Sequence, residues 1–185
     1  NADLTKFFKR MGCEASTNAY SITGSTPLVD SLLSVRYALY SEYIPNTDLV
    51  NYIQESGGTY LYENLYTLPL GFVLPYDLAD NWQYQMENPA EVQNDLCLLL
   101  GTDDVLVPVE TEVSGSGCTF TADMAGEYYV YIQNKKVKNV KASLPSGEKN
   151  FSNVDRGYLL EMGNLSEGSR ITLTPGESGE TLTAA

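Results

Sequence analysis

The 185 residues carry a formal charge of −13, no histidine, and hydrophobic and aromatic fractions of 43% and 11%. That is the composition of a folded chain with a real core, and 14 tyrosines against 5 phenylalanines point to rings that keep one edge wet. The charge argues against nucleic acid as a partner, since that affinity rests on Lys and Arg at phosphates, and the lack of histidine removes the usual ligand and base of zinc sites and of Cys/His or Ser/His catalysis.

Asn1-Ala2 reads as the remnant of a cleaved tag, and the chain as a segment of something longer. Leu4, Phe7, Phe8 and Met11 stand at helical spacing with Gly12 as a stop, which predicts a short amphipathic helix over Asp3 to Met11. Ser16 to Thr26 is rich in Ser, Thr, Asn and Gly and reads as loop, with one extended piece near Tyr20 to Ile22. Thr26-Pro27 pairs an N-cap with proline at the first helical position, so a helix carrying Leu28, Leu32 and Leu33 follows. It runs into a strand over Val35 to Tyr40. Asn46 or Thr47 is read as the cap of a further helix with Leu49, Val50 and Ile53 inward, ended by Gly57-Gly58. Tyr60 and Tyr62 then alternate as in a strand.

Asn64 to Pro75 is apolar but interrupted by Pro69 and Gly71, which no undisturbed helix tolerates. It reads as two extended pieces that meet at a kink and fill a core. Asp77 to Glu87 is a polar loop holding the single tryptophan, Trp82, beside Tyr84. Asn88-Pro89 then caps and opens a helix with Val92, Leu96, Leu99 and Leu100 on one side and Gly101 at its end.

Beyond Val105 the pattern changes to short strands between polar turns: Val105 to Val113, Cys118 to Thr121, Glu127 to Ile132, Val137 to Ala142, Tyr158 to Met162 and Arg170 to Thr174. The expected fold is therefore α+β, with a mixed part over residues 3–104, an antiparallel β-sandwich over 105–176 and a frayed tail over 177–185. Cys13, Cys97 and Cys118 share no CxxC spacing and read as three buried free thiols, the alternative being one disulfide and an odd thiol. No stretch approaches the roughly 20 apolar residues of a membrane span.

Three stretches carry a family signal. They are Asn18-Ala-Tyr-Ser-Ile-Thr-Gly-Ser-Thr-Pro-Leu-Val-Asp-Ser-Leu-Leu-Ser-Val-Arg-Tyr, Tyr62-Glu-Asn-Leu-Tyr-Thr-Leu-Pro-Leu-Gly-Phe, and Asn88-Pro-Ala-Glu-Val-Gln-Asn-Asp-Leu with Gly101. In order and spacing they resemble the extracytoplasmic region of the bacterial YfhO-type membrane proteins. The resemblance implies a polytopic glycosyltransferase of the C type, which moves a sugar from a polyprenyl-phosphate carrier onto a cell-envelope polymer such as lipoteichoic acid. It also implies a location on the outer face of the cell membrane, with the membrane part of the same chain as partner. The catalytic carboxylate expected of that family belongs to the membrane part, so no catalytic residue maps onto this sequence.

Chemistry legible in the residues themselves is sparse. Asp77 with Asp80, Asp103 with Asp104 and Glu110 with Glu112 are paired carboxylates, but glycoside hydrolysis needs two about 5 to 9 Å apart across a sugar, and such pairs arise by chance in an acidic chain. An independent glycosidase therefore ranks last. No spacing of a calcium loop is present, Asp77 to Asp80 being the least poor place for one, and neither a metal nor a cofactor is assigned. Trp82 and Tyr84 with the amides of Asn81 and Gln83 suit a sugar ring, while the plainer reading has Trp82 plugging a gap between sheet and helix. No Lys or Arg occurs from Tyr37 to Asn134, whereas Lys135, Lys136, Lys138 and Lys141 cluster, either as solvated surface or as a face for an anionic glycopolymer or lipid head group. The expected role is a non-catalytic domain that orients a glycopolymer acceptor, the alternative being a structural or protein-interaction domain that braces the membrane part.

Overall fold

A computed structural model describes residues 2–41, 43–45 and 47–183. In chain order these form α1 (Ala2–Arg10), β1 (Ala15–Ser16), β2 (Ala19–Tyr20), α2 (Pro27–Leu32), β3 (Tyr37–Tyr40), β4 (Val50–Ser56), β5 (Thr59–Asn64), α3 (Leu78–Asn81) and α4 (Pro89–Leu99). Then come β6 (Thr111–Ser114), β7 (Gly117–Thr121), β8 (Gly126–Val130), β9 (Asn139–Leu144), β10 (Gly147–Ser152), a 3-10 turn (Val154–Arg156), β11 (Leu160–Leu165) and β12 (Arg170–Pro175). The fold is α+β with every sheet antiparallel.

Contacts divide the chain into two units, Asn1–Gly24 with Trp82–Ala185, and Ser25–Asn81. Helices α1 and α4 thus share a unit with the later strands, and the region near Asp103 to Val113 lies inside that unit.

In the first unit a five-stranded sheet, ordered β10-β9-β12-β7-β6, and the β11-β8 ribbon share one core. Strand β9 shows how: Val140, Ala142 and Leu144 are buried while Asn139, Lys141 and Ser143 between them face out, the period-2 signature of a one-sided sheet. Phe120, Ile171 and Leu173 join them from β7 and β12, and Val130, Leu160 and Met162 from the ribbon. The chain beyond β12 returns to this core. Leu182 is buried in this core, its N–H donates to the Ser116 carbonyl, and Thr183 accepts from the Gln133 N–H. Ala184 and Ala185 lie outside the described residues, as does Asn1.

The smaller unit carries β3, β5 and β4 in that order, with β5 central. Here the helix expected over Thr47 to Gly57 is a strand, β4, paired with β5. Gly57 and Gly58 have φ of 59° and 79°, and Ser56 faces Thr59, so they form the two-residue loop of a hairpin, which needs positive φ at both positions. Two consecutive glycines serve a helix stop and a hairpin turn equally well, and only pairing with β5 separates the two. Asn46 lies outside the described residues.

Among the described residues, the buried apolar ones of this unit are Val29, Tyr62 and Leu78, and tyrosines cluster around Tyr62. Tyr62 is fully buried, and the rings of Tyr40 and Tyr52 meet its edge at 5.4 and 5.6 Å. Its hydroxyl donates to the Ile44 carbonyl and accepts from the Ile44 N–H, both at 2.7 Å, so the one polar atom taken inside is satisfied.

Asn64 to Pro75 departs most from expectation. Its first residues are pinned: the Asn64 N–H donates to Arg36, the Asn64 amide and the Thr67 hydroxyl to Val35, and the Leu68 N–H to Ser31. Beyond Leu68 the chain forms no strand and fills no core. Leu70 and Val73 are 95% and 98% exposed.

Candidate functional site

Helix α4 organises the region that holds the candidate aromatic pair. Its start follows from Asn88, whose Oδ1 accepts from the Ala90 N–H, and from Pro89, whose missing donor costs nothing in the first turn. Trp82 is half-buried, and its Nε1 donates to the Val92 carbonyl of α4 at 2.9 Å. Its ring lies 4.9 Å from that of Tyr84, tilted by 56°. The Gln83 N–H donates to Asp95 Oδ2 at 2.6 Å, and the Arg10 guanidinium donates to the Gln85 and Met86 carbonyls at 3.0 and 2.9 Å. Residues 82–86 are therefore clamped from α4 on one side and α1 on the other.

The clamp extends to one of the candidate lysines. The Tyr131 hydroxyl donates to the Glu87 carbonyl at 2.9 Å and accepts from Lys135 Nζ, which stands 4.0 Å above the Tyr131 ring. Partial withdrawal from water, then the nearby charge of Lys9, hold Lys135 below the usual lysine value, with Glu87 opposing. Burial, followed by the charge of Glu87, pushes the Tyr131 hydroxyl up. Tyr84 is likewise pushed up by burial, Arg10 opposing.

The remaining candidates are placed as follows. Asn81 ends α3 in the other unit and donates its amide to Asp77. Lys136 sits in the turn before β9, Lys138 at the approach to that strand, and Lys141 on its outer face, where it pairs with Glu148 at 2.7 Å. Exposed pairs of that kind contribute at most about 1 kcal/mol. Through Tyr131 the structure joins Lys135 to the Trp82 loop, and no bond of Lys136, Lys138 or Lys141 reaches that loop among the described residues.

Two clefts open elsewhere, one in each unit. The smaller unit has one of about 470 Å³ lined by Arg36, Glu63, Asn64, Leu65, Thr67 and neighbouring residues. Arg36 donates from Nε and Nη2 to Glu63 Oε1 at 3.1 and 2.9 Å there. The sequence names these residues only as parts of recognisable stretches, because Arg36 and Glu63 meet only when β3 and β5 pair. In the other unit a cleft of about 390 Å³ brings Glu110, Glu112 and Asp123 to one lining. Among the described residues no group of three or more His, Cys, Asp or Glu side chains is arranged to hold a metal ion. Cys13, Cys97 and Cys118 are buried and form no disulfide among the described residues, and burial pushes the Cys97 and Cys118 thiols up, away from the reactive thiolate.

Asn88, Gln93, Asn94 and Asp95 in the stretch from Asn88 to Leu96 bind the chain's own backbone. Gln93, fully buried, donates to the Met11 carbonyl at 2.9 Å. Asn94 accepts from the Val105 and Leu106 N–H groups and donates to the Leu106 carbonyl, tying the chain beyond α4 back to the helix. Asp95 holds Gln83 as described. The Gly24 position shows the same economy: a Cβ there would lie 2.6 Å from the carbonyl oxygens of both Gly12 and Leu159, so only glycine lets the backbones pass.

Residues 1–106 of the chain match the family described as bacterial membrane protein YfhO. Neither a curated protein nor a solved structure matches the chain.

Proposed function

The chain belongs to the YfhO family of bacterial membrane proteins, and from that premise we propose that it is a non-catalytic extracytoplasmic domain that braces the membrane part of a YfhO-like glycosyltransferase. The observation that carries this reading is the use of the Asn88 to Leu96 stretch: Asn88, Gln93, Asn94 and Asp95 each bind backbone of the same chain. Side chains bound to the chain's own backbone in this way support a scaffold role. No helix among the described residues is long and apolar enough to cross a membrane, so these residues supply no span of their own. Deleting residues 2–183 from the full-length parent should lower its level in the membrane, while replacing the exposed Lys136 and Lys138 by alanine should leave both that level and glycosylation intact. A parent whose level is indifferent to the deletion overturns the bracing role.

The second reading, orientation of a cell-envelope glycopolymer, draws on the half-exposed Trp82 and Tyr84 rings held on a clamped loop. Titration with teichoic-acid fragments, followed by Trp82 fluorescence, tests it. An unmoved spectrum at millimolar fragment removes it.

A further inference from the structure

The apolar segment between Leu65 and Tyr76 is the largest feature that neither reading uses. Leu65, Tyr66, Leu70, Val73 and Tyr76 are exposed at 51, 60, 95, 98 and 102%, with Phe72 and Leu74 at 38 and 42%. Exposed apolar side chains are ordinary when scattered, but a contiguous run is a surface for something. From Asn64 to Tyr76 there is no charged residue at all, in a chain whose net charge is −13. The run is also not a loose tail, since its base is fastened to Val35, Arg36 and Ser31 through Asn64, Thr67 and Leu68.

We propose that residues 65–76 dip into the headgroup and acyl boundary of a lipid bilayer, as a shallow anchor for the smaller unit. This rests on the membrane context of the preceding proposal and names how the domain meets the membrane. Three observations select a bilayer over another protein. The chain belongs to a family of membrane proteins. Tyr66 and Tyr76 flank the leucines and valine, and a tyrosine's apolar body with a polar tip is the side chain suited to the interface. Finally, the segment has no regular hydrogen-bonded structure from Pro69 to Pro75, so its backbone groups must stay near interfacial water, which restricts it to the boundary and forbids a span.

The charge distribution gives the proposal a specific signature. Arg36 is the only Lys or Arg between Ser25 and Asn81, and it is already paired with Glu63. Attraction to anionic lipid is therefore lacking, and insertion is apolar and insensitive to salt.

Val73→Cys carries the test, because the three native thiols are buried and leave the new one to react with an environment-sensitive maleimide dye. With phosphatidylcholine vesicles the dye's emission is expected to shift to the blue and to be quenched by spin labels placed near the headgroup more than by labels at mid-chain. The same dye on Ser146→Cys, an exposed position in the turn between β9 and β10 of the larger unit, should not respond. In flotation, Leu70→Asp combined with Val73→Asp should weaken vesicle binding roughly tenfold or more, since carboxylates resist leaving water, with circular dichroism and melting unchanged because both positions are almost fully exposed. Unmoved emission at position 73, binding that requires phosphatidylglycerol, or undiminished binding by the double variant overturns the proposal. So does a dimer, seen by sedimentation without vesicles and abolished by the double variant, when vesicles leave the dye unmoved: the occupant is then a second copy. A failed vesicle test alongside a parent that still needs this domain removes the anchor and leaves the bracing role standing.

Discussion

Gln93 and Tyr158 are polar residues taken into the interior, and each brings its own partner. The Gln93 amide crosses to Met11, while the Tyr158 hydroxyl donates to the Ser152 carbonyl at 2.8 Å. Burial, reinforced by the charge of Glu14 and opposed by Arg156, raises Tyr158 from 10.0 to about 12. The unfolded chain therefore releases this proton before the folded one does. The contribution of Tyr158 to stability is at its full value below pH 10 and is lost as pH rises through about 12. In urea titrations Tyr158→Phe should be less stable than the parent at neutral pH, by about 1 kcal/mol for the lost hydrogen bond. Its stability should also fall less steeply over the alkaline window, and an identical slope would assign that limb to other groups. Much at this scale is legible in sequence where the partner is local. Asn88 and Thr26 announce caps, and their side chains accept from Ala90 and Val29 as such residues do. The Trp82 bond to Val92 and the Gln93 bond to Met11 carry no such sign, since the acceptors are backbone carbonyls that every residue owns.

Among elements, the β4–β5 hairpin depends most on two positions. Gly58, at φ 79°, occupies a conformation that costs a residue with a Cβ about 1–2 kcal/mol, and nothing lies within 4 Å of the added atom, so Gly58→Ala isolates the backbone term. Gly57→Asn should be close to neutral, because Asn-Gly is the favoured pair for this turn. Urea unfolding of both variants checks the pair, and equal losses would contradict the assigned turn. The helix that sequence periodicity suggests here fails because Leu49, Val50 and Ile53 fit both a helical stripe and a strand with a bulge, and the register does shift between Tyr52 and Gln54. Strand β10 escapes sequence reading for a different reason. Paired only with β9 at the sheet edge, it has no run of buried residues, and Gly147 to Ser152 offer no alternation to read. The central strands β9 and β12 are legible because each has one buried face, and β7 because Gly117 to Phe120 are buried in succession.

At the scale of the whole molecule, one unit is made from both ends of the chain and the other from the stretch between. Each has its own buried residues, a large mixed cluster in one and Val29, Leu78 and a tyrosine cluster around Tyr62 in the other. Calorimetry should therefore resolve two transitions, with Gln93→Ala lowering one and Gly58→Ala the other. A single transition lowered by both would mean that the units unfold together. Composition, caps and strand periodicity by themselves determined an α+β chain, its best helix and most of its sheet strands, because those features are set by neighbours within a few residues. The signature stretches likewise identified the family that residues 1–106 match. What tertiary structure alone decided is where residues distant in sequence meet: that α1 and α4 join the later strands, that Gly57-Gly58 turns a hairpin, and that Lys135 reaches the Trp82 loop through Tyr131. It also decided that Leu70, Val73 and Leu74 are exposed, since an apolar run states its need for cover but not what supplies it.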